Sequence, residues 1–422
     1  MSEIQLPYGR RSLTLHLPDD RPVEWVVPAA EPAASDPIPL IDHALDCPVG
    51  DVWLSDFAHV RSVAIAINDK TRPLPHPVLK TLLRRLEDMG IPPHAITLIF
   101  ATGAHPVMVP EEFSQTLPNS ILLRYPVLSH NCEDQANLVH LGETKRGTPV
   151  WANRDFMRAD LRIVVGNIEL HQFMGFAGGV KTAAIGLAGG ETIKRNHKMM
   201  IDPRSQMGRY TDNPTRQDIE EIGRMMGIQF ALNVILNREK QITQVFAGDP
   251  VAVMKAGIPQ IIKMNEIEVA APFDVMIVSP GGHPKDLNLY QAQKALAHAA
   301  RITKDSGLVI LVAACPEGTG GAAYEQWMEG MTTHQAVLER FKREEFRLGP
   351  HKAYQIARDA ARVQVMLYSE MPAEQVKRWL LTPVDNIEDV IHKLPMKSRI
   401  GIMPAANVTL PVIAPNYSLT YE

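Results

Sequence analysis

One glycine-rich stretch limits what this chain can fold into more than any other feature. Residues 161–165 (LRIVV) are mostly apolar and read as a buried strand of a parallel sheet. Residues 166–200, GNIELHQFMGFAGGVKTAAIGLAGGETIKRNHKMM, follow directly and set seven glycines around His171, Lys181 and His197. Glycine lets a backbone turn at positive φ and lets a ligand come close. A strand running into such a loop is where open α/β sheets bind ligands, beyond the carboxyl ends of the strands. The pattern predicts a bound anionic or aromatic cofactor. Residues 175–182 (GFAGGVKT) fall one position short of the phosphate-cradling G-x-x-x-x-G-K-[ST] loop, because Val180 stands where that motif has glycine. A β-branched residue fits poorly at positive φ, so Lys181 calls for another explanation.

The chain has 422 residues, enough for two or three domains with sizeable cores. Its net charge of −4 and the lack of a basic patch do not suggest nucleic acid as a partner. Cys47, Cys132 and Cys315 are far apart and without C-x-x-C spacing, which argues against a disulfide framework and a cysteine zinc site and fits a reducing compartment. The first residues lack the apolar core of a signal peptide, and no apolar run reaches the ~18 residues of a membrane span. A soluble cytoplasmic protein is expected.

From the N-terminus, residues 4–27 read as two short strands around Leu17-Pro18-Asp19-Asp20. Residues 62–67 (SVAIAI) form a buried strand that runs into Asn68, Asp69, Lys70, Thr71, Arg72 and Pro73, a polar loop at a strand end. Residues 77–89 have helical periodicity closed by Gly90, and 96–100 form the next strand, with His105 just beyond it. This is a βαβ unit. Residues 143–152 predict a hairpin, 190–200 a short helix bearing His197, 216–226 an amphipathic helix, 230–237 and 242–248 a strand pair, and 250–264 a closing helix. Three strand ends thus aim Asp69 and Arg72, His105, and His171 toward one side of a sheet. A second alternation of strands and helices begins at 274–279 and continues through 307–314, 363–368 and 398–403, with Tyr290, Gln291 and Lys294 on its first helix.

The chemistry of these residue types leaves several readings open. A loop lysine can bind a carbonyl-type cofactor covalently, or simply be exposed at a turn. Each histidine can be an acid/base, a metal ligand or a structural residue. His16, His43, His76, His94, His130, His140 and His298 are read as structural, and His283 is undecided. Arg72, Gln291 and Lys294 could grip a carboxylate, or could be solvated polar groups.

Taken together, Asn68-Asp69-x-Thr71-Arg72-Pro73, Gly103-x-His105, His171-x-x-x-Gly175-x-x-Gly178-Gly179-x-Lys181 and Tyr290-Gln291-x-x-Lys294 resemble the nickel-pincer lactate racemases. The likeness runs from about residue 60 to about residue 325, with the motifs in family order. It implies that Lys181 holds a pyridinium-3-thioamide-5-thiocarboxylic acid mononucleotide (the nickel-pincer nucleotide) by a thioamide bond, and that His197 binds its nickel. Asp69, Lys70, Thr71, Arg72 and Ile185 match cofactor-binding positions. His105 and His171 match the catalytic acid/base pair, and Arg72, Gln291 and Lys294 match residues near the substrate carboxylate. The implied partners are a small 2-hydroxy acid and the enzymes that build the cofactor. One position departs from the family pattern: after the lysine, Ile185-Gly186 keeps the glycine but lacks the preceding proline.

The resemblance implies an isomerase, a racemase or epimerase of a 2-hydroxy acid such as lactate, working by reversible hydride transfer. The expected fold is two α/β domains with mainly parallel sheets and the active site in the cleft between them. A cofactor-binding domain is expected over 1–268, a second over 269–408, and a tail over 409–422 packing back on the first. The alternatives are a phosphoryl transferase using the degenerate loop at 175–182, a zinc hydrolase using His105, His171 and His197, and a non-catalytic cofactor-binding homologue.

Overall fold

The computed structural model describes residues 2–414. The chain forms two compact units, one of residues 30–264 and one of the residues up to Ala29 together with those from Asn265 onward. Each has a six-stranded, mainly parallel sheet with helices, an α/β architecture.

In the unit of residues 30–264 the spatial order is Ile242–Gly248, Phe230–Leu236, Leu161–Asn167, Val63–Ile67, Ile96–Phe100, Val127–Ser129. The first two strands pair, as the sequence predicts, and do so antiparallel, while the other pairs are parallel. Val63–Ile67 (VAIAI) is buried at all five positions, as a strand covered on both faces must be. The helix His76–Asp88 crosses from it to Ile96–Phe100, burying Val78, Leu79, Leu82, Leu83 and Leu86 at three- and four-residue spacing. Gly90, at φ +92°, ends that helix. These side chains and the alternate residues of the central strands form one core.

The direction in which successive strands are laid down reverses at the middle of this sheet. From Val63–Ile67 the chain moves outward through Ile96–Phe100 to Val127–Ser129, then returns to place Leu161–Asn167 on the opposite side. The gap between the ends of Val63–Ile67 and Leu161–Asn167 is therefore a topological switch point, where open parallel sheets leave a crevice for ligands.

The other unit has the order Thr382–Pro383, Gln364–Tyr368, Thr303–Val312, Phe273–Val278, Ile400–Met403, Val23–Trp25, parallel throughout. Two N-terminal expectations are corrected here. Three strands stand where two were expected: Ser2–Tyr8 and Arg11–Leu17 form a hairpin turning at Gly9-Arg10, where Gly9 supplies the positive φ (+56°) of a two-residue turn, and Val23–Trp25 follows the turn at residues 18–21. The first 29 residues are also built into this unit rather than into the one that follows them in sequence. Val23–Trp25 forms its edge strand, and Ile4, Leu6, Leu15 and Leu17 pack with Ile277, Ile310 and Ile402. Leu410–Ile413 pairs with Glu266–Val269, and the rest of the expected tail, 415–422, lies outside the described residues. Among the described residues, no helix is long and apolar enough to cross a membrane.

Candidate active site

The switch point is stitched together by side chains from the loops that leave it. Asn68 Nδ2 donates to Asn167 Oδ1 at 3.2 Å and to the Arg72 carbonyl at 3.1 Å. Arg72 Nε lies 3.5 Å from Glu169 Oε1. The next loop joins through Gly103, whose N–H donates to the Gly186 carbonyl at 2.9 Å. A Cβ on Gly186 would stand 2.2 Å from the Thr182 carbonyl and 2.5 Å from Ala101 Cβ, so the close approach of these loops requires glycine there.

Asp69 and His105 come together from two of these strand ends. His105 Nδ1 lies 2.7 Å from Asp69 Oδ2, while Oδ1 accepts from the Thr71 amide (3.0 Å) and hydroxyl (2.5 Å). Burial works to raise the Asp69 carboxyl, but hydrogen bonds from His105 and Thr71 outweigh it and hold the group below its usual range. An ionised acceptor on Nδ1 fixes the ring as the Nδ1–H tautomer and leaves Nε2 as the basic nitrogen.

His171 sits on a two-residue strand, Leu170–His171, paired with Gly175–Phe176. Gly175 must be glycine: its φ is +77° and a Cβ would come within 1.7 Å of the Arg209 carbonyl. His171 Nδ1 accepts the Met174 amide at 3.3 Å, which places the proton of a neutral ring on Nε2. The hydrogen bonds thus place the proton of the neutral ring on different nitrogens, Nδ1 in His105 and Nε2 in His171. The Phe173 ring lies between His171 and His197, with centroids 4.8 and 5.3 Å away and both contacts edge-on. His197 stands in the last turn of the helix Gly190–Lys198.

Lys181 begins a single helical turn, Lys181–Ala184. Its amine is desolvated, and burial first, then the Arg72 charge, brings it down to about 7. Glu169 pulls the other way. Burial also works to raise the Glu169 carboxyl, but the Arg72 charge leads the groups that hold it low. An amine close to half neutral at pH 7 is a nucleophile in waiting. Val180, at φ −57°, sits comfortably in the right-handed region with its side chain against Gly223. The one-turn helix that follows offers little of the aligned dipole on which a phosphate-binding loop depends. Ile185, also expected at the cofactor, is buried at the end of this turn and donates its N–H to the Lys181 carbonyl at 3.1 Å.

Other predicted residues are placed as follows. Lys70 pairs with Glu112. Gln291 and Lys294 lie in the other unit, on the helix Leu289–Ala300, where Lys294 Nζ donates to Gln291 Oε1 at 2.7 Å. His283 is engaged by Arg10 at 2.9 Å. His130 and His298, read as structural, are buried against the carbonyls of Ala188 and Thr409. Among the described residues, no three His, Cys, Asp or Glu side chains gather as a metal site, so the alternative of a zinc site on His105, His171 and His197 finds no support. A nickel whose remaining donors belong to an organic cofactor asks the protein for one imidazole, and the residues present fit that demand.

Three residues escaped the sequence reading. Glu169 stands two positions before His171 in the same loop. Asn233 Oδ1, from the neighbouring strand, accepts the Gly179 amide at 2.6 Å. Arg216, in the first turn of the helix Pro214–Met225, is fully buried and donates to the Phe176 and Gly178 carbonyls. The available signal was position: Arg216 and Glu220 share a helical face with Ile219 and Gly223, where a charge is out of place unless paired.

The family described as "Lactate racemase N-terminal domain" matches residues 8–208, and "Lactate racemase C-terminal domain" matches 269–406. The chain is 31% identical over 330 residues to the lactate racemase of Lactiplantibacillus plantarum, covering 77% of each. It is 26% identical over 404 residues to that of Thermoanaerobacterium thermosaccharolyticum, covering 93% of this chain and 94% of the relative. The structure of the latter's apoprotein superposes with a TM-score of 0.89 at 25% identity, covering 97% and 100% of the two chains. A Thermotoga maritima protein shares the fold at a TM-score of 0.68 and 17% identity, covering 92% and 100%. With both domains matched in order and the architecture shared across nearly its whole length, this chain belongs to the lactate racemase family.

Proposed function

We propose that the protein is a racemase or epimerase of a small 2-hydroxy acid such as lactate, acting with a nickel-pincer nucleotide attached to Lys181. The observation that carries this reading is the left-handed glycine turn at 178–179 leading into Lys181, whose amine burial and then Arg72 bring down to about 7, together with the edge-on contacts of His171 and His197 with Phe173. Family membership supports the same cofactor. When bound, the group supplies a hydride acceptor with a nickel centre, for which His197 is the protein donor.

The chain's own residues handle protons and orientation. His105, basic at Nε2, takes the hydroxyl proton of one enantiomer while Asp69 stabilises the imidazolium that results. His171 acts from its imidazolium form, giving the Nε2 proton to the oxygen on the opposite side and being left neutral. Racemisation needs a proton carrier for each hand, which two histidines can supply. Arg72 is assigned to the carboxylate, holding it while the oxidised carbon turns. Asp69, Lys70, Thr71 and Ile185 are assigned to the cofactor's seat. The cofactor-building enzymes are the expected partners, and the cytoplasm, where three free thiols would persist, the expected location.

The test is co-production with the cofactor-building enzymes, followed by intact-mass and peptide-mass analysis and chiral chromatography of lactate and other 2-hydroxy acids. An adduct on Lys181 with racemisation of at least one acid is expected. Stoichiometric adduct without turnover of any of them would favour a cofactor-holding homologue, and an adduct elsewhere would overturn the assignment of Lys181.

A further inference from the structure

The turn that delivers Lys181 is clamped from two sides. Gly178 and Gly179 are both left-handed (φ +98° and +58°), and a Cβ on Gly179 would stand 2.6 Å from Met254 Cγ. On one side Asn233 Oδ1 accepts the Gly179 amide at 2.6 Å. On the other, Arg216 Nη1 donates to the Phe176 carbonyl at 3.0 Å and Nη2 to the Gly178 carbonyl at 3.1 Å. The same guanidinium is anchored to Glu220 Oε1 through Nε (2.9 Å) and Nη2 (2.6 Å), and the Tyr210 hydroxyl donates to that oxygen at 2.8 Å. Arg216 is itself located by the first turn of its helix, where Asn213 Oδ1 accepts the Arg216 amide at 3.1 Å.

A fully buried ion pair is a poor way to gain stability, since desolvation offsets most of the attraction. What this one achieves is geometric. A planar fork reaching two carbonyls two residues apart fixes the backbone between them, and lysine could not do the same. Both carbonyls lie within five residues of Lys181, and Gly223 of the same helix receives Val180, the residue before it.

We propose that Arg216 is a positioning residue for cofactor attachment: its guanidinium holds the 176–179 turn so that the Lys181 amine is presented at one fixed place. This rests on the reading of Lys181 as the attachment point. Arg216 does not touch the reacting atoms, and its charge is also among those that favour the neutral amine.

Two variants separate geometry from charge. Arg216→Lys keeps the charge and loses the fork. The pair Arg216→Met with Glu220→Leu removes both ions together, so that no buried carboxylate is left alone. Each is checked for folding by circular dichroism and thermal melting. Apo-protein is then treated with limiting acetic anhydride across pH 6 to about 10, a range bracketing the lysine values, with Lys181 acetylation read by peptide mass against the exposed Lys145. Separately, protein co-produced with the cofactor-building enzymes is assayed for Lys181 adduct occupancy.

For folded Arg216→Lys, adduct occupancy is expected to fall about tenfold or more while the pH midpoint of Lys181 acetylation stays near that of the wild type. The pair variant is expected to lose occupancy equally and to shift its midpoint upward. Folded variants loading cofactor as the wild type does would overturn the proposal. If the pair variant does not fold, Arg216→Lys alone decides. Wild type bearing no Lys181 adduct after loading would instead refute the attachment reading. The acetylation comparison in apo-protein would then judge Arg216, with unchanged Lys181 reactivity in both variants counting against it.

Discussion

Asp69 Oδ2 and His105 Nδ1 stand 2.7 Å apart, with 7% of the Asp69 side chain exposed and 52% of the His105 side chain. A buried carboxylate thus orients a ring whose other nitrogen is free to meet a substrate. Asp69→Asn keeps the shape but can hold the ring in the wrong tautomer. Its racemisation rate is expected to fall by about 10² to 10⁴ with the Lys181 adduct unchanged by mass. Because the folded Asp69 carboxyl lies below its usual range, the dyad's contribution to stability is present above the unfolded value and lost as pH falls through the folded one. Acid titration of the melting temperature should therefore show a shallower loss in Asp69→Asn than in the wild type.

His105→Ala and His171→Ala are each expected to lose racemisation in both directions by about 10² to 10⁴, since either hand needs one ring as base and the other as acid. Nickel content and adduct mass should stay at wild-type levels. Imidazole added to His105→Ala is expected to restore part of the rate through the half-open face of the site. Nickel lost together with activity in His105→Ala would count against its acid/base role.

Lys181 gives the apo-protein a second pH dependence of the same sense in a higher pH window. Its folded value near 7 lies below the free-lysine value, so between the two the unfolded chain binds more protons and stability rises with pH. Urea midpoints should climb from neutral pH toward about 10 in the wild type and climb less in Lys181→Met. Equal slopes would mean that the amine is solvated.

Asp218 braces the residue before His197, the proposed nickel donor. Its carboxylate accepts from Thr144 (2.6 Å), Thr148 (2.9 Å) and Asn196 (2.9 Å), and Asn196 directly precedes His197. Asp218→Ala strands these buried donors and should cost about 3 kcal/mol. Nickel affinity in the loaded protein should drop about 10- to 100-fold, measured by metal analysis after dialysis against a chelator, while the Lys181 adduct persists.

Ile185→Pro tests the departure from the family pattern. Ile185 adopts φ −115° and gives its N–H to the Lys181 carbonyl, whereas proline needs φ near −65° and has no N–H. The substitution should lower stability by about 2–3 kcal/mol, read by urea unfolding. A neutral or stabilising result would show that this turn can relax to the family geometry.

Much of the site was legible because strand-end loops in a parallel sheet must share one edge. Once Val63–Ile67, Ile96–Phe100 and Leu161–Asn167 are read as buried strands, Asp69, His105 and His171 follow at their ends. Glycine told the same story at 175, 178, 179 and 186, where the backbone turns left-handed or approaches another chain segment too closely for a side chain. Local periodicity also located the helix that carries His197.

What the sequence by itself determined is this set of local elements, their polarity and the order of the motifs, since hydrophobic period and turn chemistry act over a few residues. Only the tertiary structure decided that the first 29 residues complete the sheet of the unit built from Asn265 onward, because Val23–Trp25 finds its partner in Ile400–Met403. Only it placed the fork of Arg216 on the carbonyls before Lys181, 35 or more residues earlier in the chain. Buried charge is settled by which partner arrives in space, and spacing along a sequence carries no record of that arrival.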